Sequence, residues 1–187
     1  MNARTALLSA AVLALAASPA FAQGGANRLD AGDQAFLRQA SEGSAAEVAT
    51  GRLASQNAKN EAVKEFGRWM ASAHGYADRE LAGLAEQMHG QVPPTNLPPD
   101  AQAMVQKLQG LHGEEFDRAY LQDMIEDHQK DLAAFQKAAS TVQDPLLKTF
   151  AINMVTVIQE HLQEAQDLQK DYYGGASHGA GTRPTSH

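Results

Sequence analysis

Four polar side chains stand where a helical sequence should place apolar ones, and their types are those that ligate metals. His74 follows Met70 by four residues and precedes Ala77 by three, and His128 lies four after Met124 and four before Leu132. His161 interrupts a run that otherwise reads Leu147, Ala151, Met154, Ile158, Ala165 and Leu168. Glu47 falls three after Ser44 and four before Gly51. Spacings of three and four put each of them on an apolar helix face. Imidazole and carboxylate together suit Zn, Cu, Fe or Mn and do not rank them. One histidine on such a face is more often a hydrogen-bonded core residue. Three on the inward 3/7 of their helices have a chance of about 0.08 under random placement. A buried Glu47 charge is costly unless it is paired or ligates an ion.

Acids follow each histidine on its own face: Asp78 four after His74, Asp131 three after His128, Glu164 three after His161. With Asp127 beside His128, these are candidates to ligate or to orient an imidazole. Solvated surface charges have the same spacing. The di-iron pattern Glu-x-x-His is missing, because Ala71, Ile125 and Ile158 stand three before the histidines. Ferroxidase or oxygenase chemistry is therefore unsupported. The chain has no Gly-rich phosphate loop and no Gly-x-Ser-x-Gly elbow, so no catalytic residue is assigned. His89 and His112 fall at helix ends and read as surface residues.

The elements that must position these side chains are helices. Helix periodicity runs over about 33–56, 60–88, 114–139 and 145–172, with a short helix between Asp100 and Gly113 in the second long connection. Asn60 and Asp144 are N-cap candidates, Pro145 follows at a first helical position, and Asp100 is expected to cap the short helix. Pro93, Pro94, Pro98 and Pro99 forbid a helix through 91–100. No strand pattern occurs. The expected fold is all-α: a four-helix bundle over 33–173, with a short extra helix between its second and third long helices. At 1.5 Å per residue the four polar residues share a slab of ~12 Å in mid-bundle, whether that connection turns back or crosses the bundle's length.

Composition narrows the classes further. The chain has 187 residues, a net charge of −7 and 6% aromatics, which argues against nucleic-acid binding. It has no Cys, which excludes disulfides and thiolate sites. Arg4, the apolar run Leu7 to Ala17 and Ala20-Phe21-Ala22 read as a signal peptide over 1–22. A flexible segment over 23–32 follows. That run is too short to span a bilayer and no second one exists, so a periplasmic product without a membrane span is expected. Residues 174–187 are rich in Gly, Ser and Pro, carry His178 and His187, and read as a disordered tail.

These residues resemble a known family. The segments are Ala46-Glu47-Val48 with Gly51-Arg52-Leu53-Ala54, Val63-Lys64-Glu65-Phe66 on to Met70 and His74, Phe116-Asp117-Arg118-Ala119-Tyr120, Asp127-His128, Asp144-Pro145 with Leu147-Lys148, and His161-Leu162. As an ordered set spanning about 36–168 they are similar to the bacterial secreted family known as domain of unknown function 4142. The resemblance implies a ferritin-like fold and recurrent polar positions at Glu47, His74, Asp117, Asp127, His128 and His161. Some members carry outer-membrane labels. Members commonly have Asp before the second-helix histidine, where this chain has Ala73, and Leu-Pro before the last histidine, where it has Val155 to Ile158.

Two functions follow from the residues. In the first, Glu47, His74, His128 and His161 ligate a transition metal, with Asp127, Asp78 and Asp117 in support. In the second, the same side chains form a hydrogen-bond network in a non-enzymatic stress-related or interaction bundle. A redox enzyme ranks last.

Overall fold

The computed structural model describes residues 29–88 and 97–173. The expected signal peptide, the tail after 173, His89 and Gly90 lie outside these residues. Five helices follow one another: α1 Ala31–Asn57, α2 Glu61–Gln87, α3 Pro99–Gln109, α4 Gly113–Thr141 and α5 Pro145–Tyr173. The described residues contain no strand, only an isolated bridge between Ala58 and Gly113. Among them no helix is long and apolar enough to cross a membrane.

Local chemistry sets the helix ends. Asn60 caps α2 by accepting from Ala62 N at 2.8 Å, as its side chain allows. Asp144 caps α5 by accepting from Leu146 N and Leu147 N, one residue before Pro145. Two ends depart from expectation. Asp30 accepts from Asp33 N at 2.8 Å and starts α1 at Ala31, inside the segment expected to be flexible. Asp100 does not cap α3: the helix begins at Pro99 and Asp100 stands in its first turn, where a negative charge faces the helix dipole favourably.

The short turns at 58–60 and 142–144 make α1–α2 and α4–α5 antiparallel hairpins. Two aspartates register the hairpins against each other. Asp117, early in α4, accepts from Lys59 N and Asn60 N at 2.9 Å each, so the start of α4 meets the α1–α2 turn. Asp33, early in α1, accepts from Gln143 N and Asp144 N at 3.0 and 2.7 Å, so the start of α1 meets the α4–α5 turn. The end of α2 and the start of α4 therefore lie at opposite ends of the molecule. The chain between them must run its full length, and α3 lies on this crossing, packed against α1 and α4.

The four long helices enclose two apolar clusters. One joins Leu37, Ala77, Leu81, Phe135, Leu147 and Ile158; the other joins Ala54, Phe66, Met70, Phe116, Tyr120, Met124 and Ala165. Along each of the four long helices the polar positions fall between them: Glu47 on α1, His74 on α2, His128 on α4, His161 on α5. A close approach of α1 and α2 draws that layer together. A Cβ on Gly51 would stand 2.7 Å from Gly67 O, and one on Gly67 2.7 Å from Gly51 O, so glycine at both positions allows backbone contact.

Candidate metal centre

His74, His128 and His161 converge from three helices. Their ring centroids are 5.8 Å apart for 74–128, 5.3 Å for 74–161 and 5.4 Å for 128–161. One ring nitrogen from each lies within 4.8 Å of the others, a span that a single ion with bonds near 2 Å draws together with small side-chain shifts. All three are buried: His74 is 4% exposed, and His128 and His161 are fully enclosed.

Hydrogen bonding fixes one ring. His128 Nδ1 lies 2.9 Å from Met124 O, one turn earlier on α4. A carbonyl only accepts, so Nδ1 carries the hydrogen and Nε2 keeps its lone pair. His128 Nε2 and both ring nitrogens of His74 and His161 have no hydrogen-bond partner. Buried polar atoms are normally satisfied, and three rings with five orphaned nitrogens in one layer could hold a metal ion through one nitrogen each. Burial, above all, pushes His74 well below the ordinary histidine range, with His128 and His161 adding to it. It lowers His128 to about 4 and His161 to about 3. Neutral imidazoles are the ligating form.

Glu47 stands behind His128, not inside the triad. Its Oε1 is 3.9 Å from His128 Nδ1, the nitrogen already committed to Met124, and it is absent from the group of converging donor atoms. Burial and then the charges of Asp131, Asp127 and Asp123 raise its pKa well above the usual carboxylate range. The same surroundings favour the uncharged form of both residues, so the contact is not an ion pair at neutral pH.

Of the expected supporting acids, none touches a histidine ring. Asp117 belongs to the end of the bundle, where its carboxylate holds the α1–α2 turn and accepts from Tyr173 Oη at 2.6 Å. A place beside the histidine layer is thereby corrected: Asp117 lies in the first turns of α4, about three turns before His128. Asp78 accepts from Ser41 Oγ at 2.7 Å and ties α2 to α1. Asp127 pairs with Lys130 at 2.9 Å on the surface. Glu164 is exposed on α5. Asp131 is the acid that reaches inward; burial, chiefly, raises its pKa to about 6.

Two further aromatic residues stand beside these side chains. Trp69 stands edge-on to His161, ring centroids 4.5 Å apart, and covers it from outside. Tyr120 is fully buried with an unpartnered hydroxyl, and the nearby Glu47 carboxyl raises its pKa after burial does. Tyr120 reads as an ordinary core position at its helical spacing; only its hydroxyl hints at more.

The fold recurs in solved structures. A Streptomyces coelicolor protein described as secreted, with domain of unknown function 305, superposes with a TM-score of 0.66 at 18% identity, over 79% of this chain and 95% of that one. CopM in its Cu(I)-bound form gives a TM-score of 0.63 at 17% identity, over 76% of this chain and 98% of its own. No curated protein matches the chain. The profile of the domain of unknown function 4142 matches residues 18–168, and the chain belongs to that family.

Proposed function

We propose that this protein is a secreted, ferritin-like four-helix-bundle protein that binds one transition-metal ion through His74, His128 and His161. The observation that carries the reading is the convergence of three buried imidazoles with five unpartnered ring nitrogens. A structural hydrogen-bond network of the same side chains is disfavoured by those same atoms, since such a network stabilises only when its members are satisfied. Copper is the first choice among metals. Imidazole suits it, the divalent ion tops the affinity order, and a protein of the same fold is known in a Cu(I)-bound form. The crossing between α2 and α4 supports the ferritin-like assignment, as that class carries one long crossover connection.

Glu47 supports His128 from behind, through its position beside Nδ1. Secretion into the periplasm is supported by the N-terminal signal pattern and by the secreted neighbour from Streptomyces. The bundle domain, expected over 33–173, is assigned to residues 30–173 because Asp30 caps α1, and the cleaved leader to 1–22.

The test is elemental analysis of residues 23–173, purified without tag or chelator so that His178 and His187 do not contribute. About one equivalent of a single transition metal, absent from a His128→Gln variant, supports the site and names the ion. A chain that stays metal-free after incubation with Cu, Zn, Mn and Fe salts overturns it.

A further inference from the structure

The histidine triad is closed to solvent, so an ion must reach it between side chains. A cleft of about 420 Å³ opens between α1, α3 and α4. Its walls carry Glu42, Asp100, Asp127 and Asp131, with Lys130 the one base among its lining residues and already paired to Asp127. Glu47, only 4% exposed, stands in the cleft lining with Oε2 unpartnered. Behind this cleft is a void of about 20 Å³ bordered by His74, Ser44 and Asp131. That is about the space of one water-sized particle. Gln39, Gly43 and Asp131 border both spaces. Asp131 therefore faces solvent on one side and the unpartnered ring of His74 on the other.

We infer that the acidic cleft is the route by which a cation reaches the histidines, with Asp131 the carboxylate that passes it from the cleft to His74. The inference rests on the metal-binding reading above and adds where the ion travels. Excess negative charge in a cleft with low-dielectric walls concentrates cations and speeds their capture. A carboxylate at the narrow point replaces the water that the ion sheds. Gly43 leaves the passage open: a Cβ there would meet nothing within 4 Å, so a larger side chain has room to occupy it.

The test mixes residues 23–187 with copper(II) sulfate alone at low ionic strength and follows the fluorescence of Trp69, with release read as recovery of that emission on adding a chelator, so that copper on His178 or His187 is not what is followed. Asp131→Asn keeps the side-chain shape and removes the charge; Gly43→Leu fills the passage. Gly43→Leu is expected to slow uptake and release together, on the order of tenfold, leaving stoichiometry and Kd unchanged. A route alters both rates without altering the end states. Asp131→Asn is expected to slow uptake by a similar factor at low salt, with the difference shrinking at about 0.5 M salt. Wild-type uptake rates in both variants overturn the route while leaving the triad in place. So does a weaker Kd that arises from faster release alone, which would make these residues part of the site. A wild-type chain that takes up no copper overturns the metal reading and the route with it.

Discussion

The indole of Trp69 meets the ring of His161 edge to face, with centroids 4.5 Å apart and planes at 89°. Trp69 is the only tryptophan of the chain, so its fluorescence reports on one ligand of the triad. Copper at His161 is expected to quench most of that emission at one equivalent. The His161→Gln variant should show no saturable quenching. A titration in which wild type and variant quench alike would place copper elsewhere.

Metal binding should also stabilise the fold. Copper at 100 times its Kd is expected to raise the unfolding free energy by about 2.7 kcal/mol. In His128→Gln the metal-dependent gain should vanish while the helical circular dichroism persists. Thermal unfolding with and without copper measures this, and an undiminished gain in the variant would contradict the assigned ligand.

The metal-free protein should be acid-sensitive. His128 and His161 have folded pKa values of about 4 and about 3, below the ordinary histidine value, so the unfolded chain binds their protons first. Their contribution is complete above about pH 6.5 and is lost as pH falls toward those folded values, by about 1.4 kcal/mol per unit for each. Glu47 acts in the opposite sense: its raised pKa contributes below the ordinary carboxylate value and is lost as pH rises. Asp131, raised to about 6, acts with Glu47, and the three histidines, all shifted downward, act together against both. Urea unfolding with chelator present should show lower stability at pH 5 than at pH 7, and equal midpoints would refute this balance.

Asp117 and the triad should separate cleanly. Asp117→Ala strands the amides of Lys59 and Asn60 and the hydroxyl of Tyr173, which hydrogen-bond to its carboxylate. A loss of about 3 kcal/mol is expected, the scale of charged hydrogen bonds removed from partly buried partners. The folded fraction should keep one metal per chain. Denaturant unfolding and elemental analysis together check this; loss of metal from well-folded Asp117→Ala would return the residue to the site.

Gly51→Ala should be more damaging than a helix propensity scale implies. Alanine favours a helix over glycine, yet its Cβ would meet Gly67 O at 2.7 Å and Ala71 N at 2.9 Å, both backbone atoms. A destabilisation of about 1–3 kcal/mol is expected from pushing α1 off α2. Gly43→Ala, where a Cβ meets nothing, serves as the control and should be neutral or stabilising. Equal stabilities would mean the helices part easily.

The helix spans and their inward faces follow from residue spacing and local capping alone. Spacings of three and four residues decide which side chains share a face, and the caps Asn60 and Asp144 act within two or three residues of the chain. That is why His74, His128 and His161 could be read as inward-facing before any fold was known. Distance across helices is set only when the helices pack. Asp117 shares α4 with His128, yet its partners are amides of Lys59 and Asn60, more than 55 residues away. Helical phase carries no information about such pairs. Glu47 has the right face and level but stands on the Nδ1 side of His128, an orientation set by the Met124 carbonyl. The direction of the long connection was equally hidden: both topologies put the four residues at one level. Asp33 and Asp117, each holding the opposite hairpin's turn, decided it by hydrogen bonds that exist only once the hairpins meet.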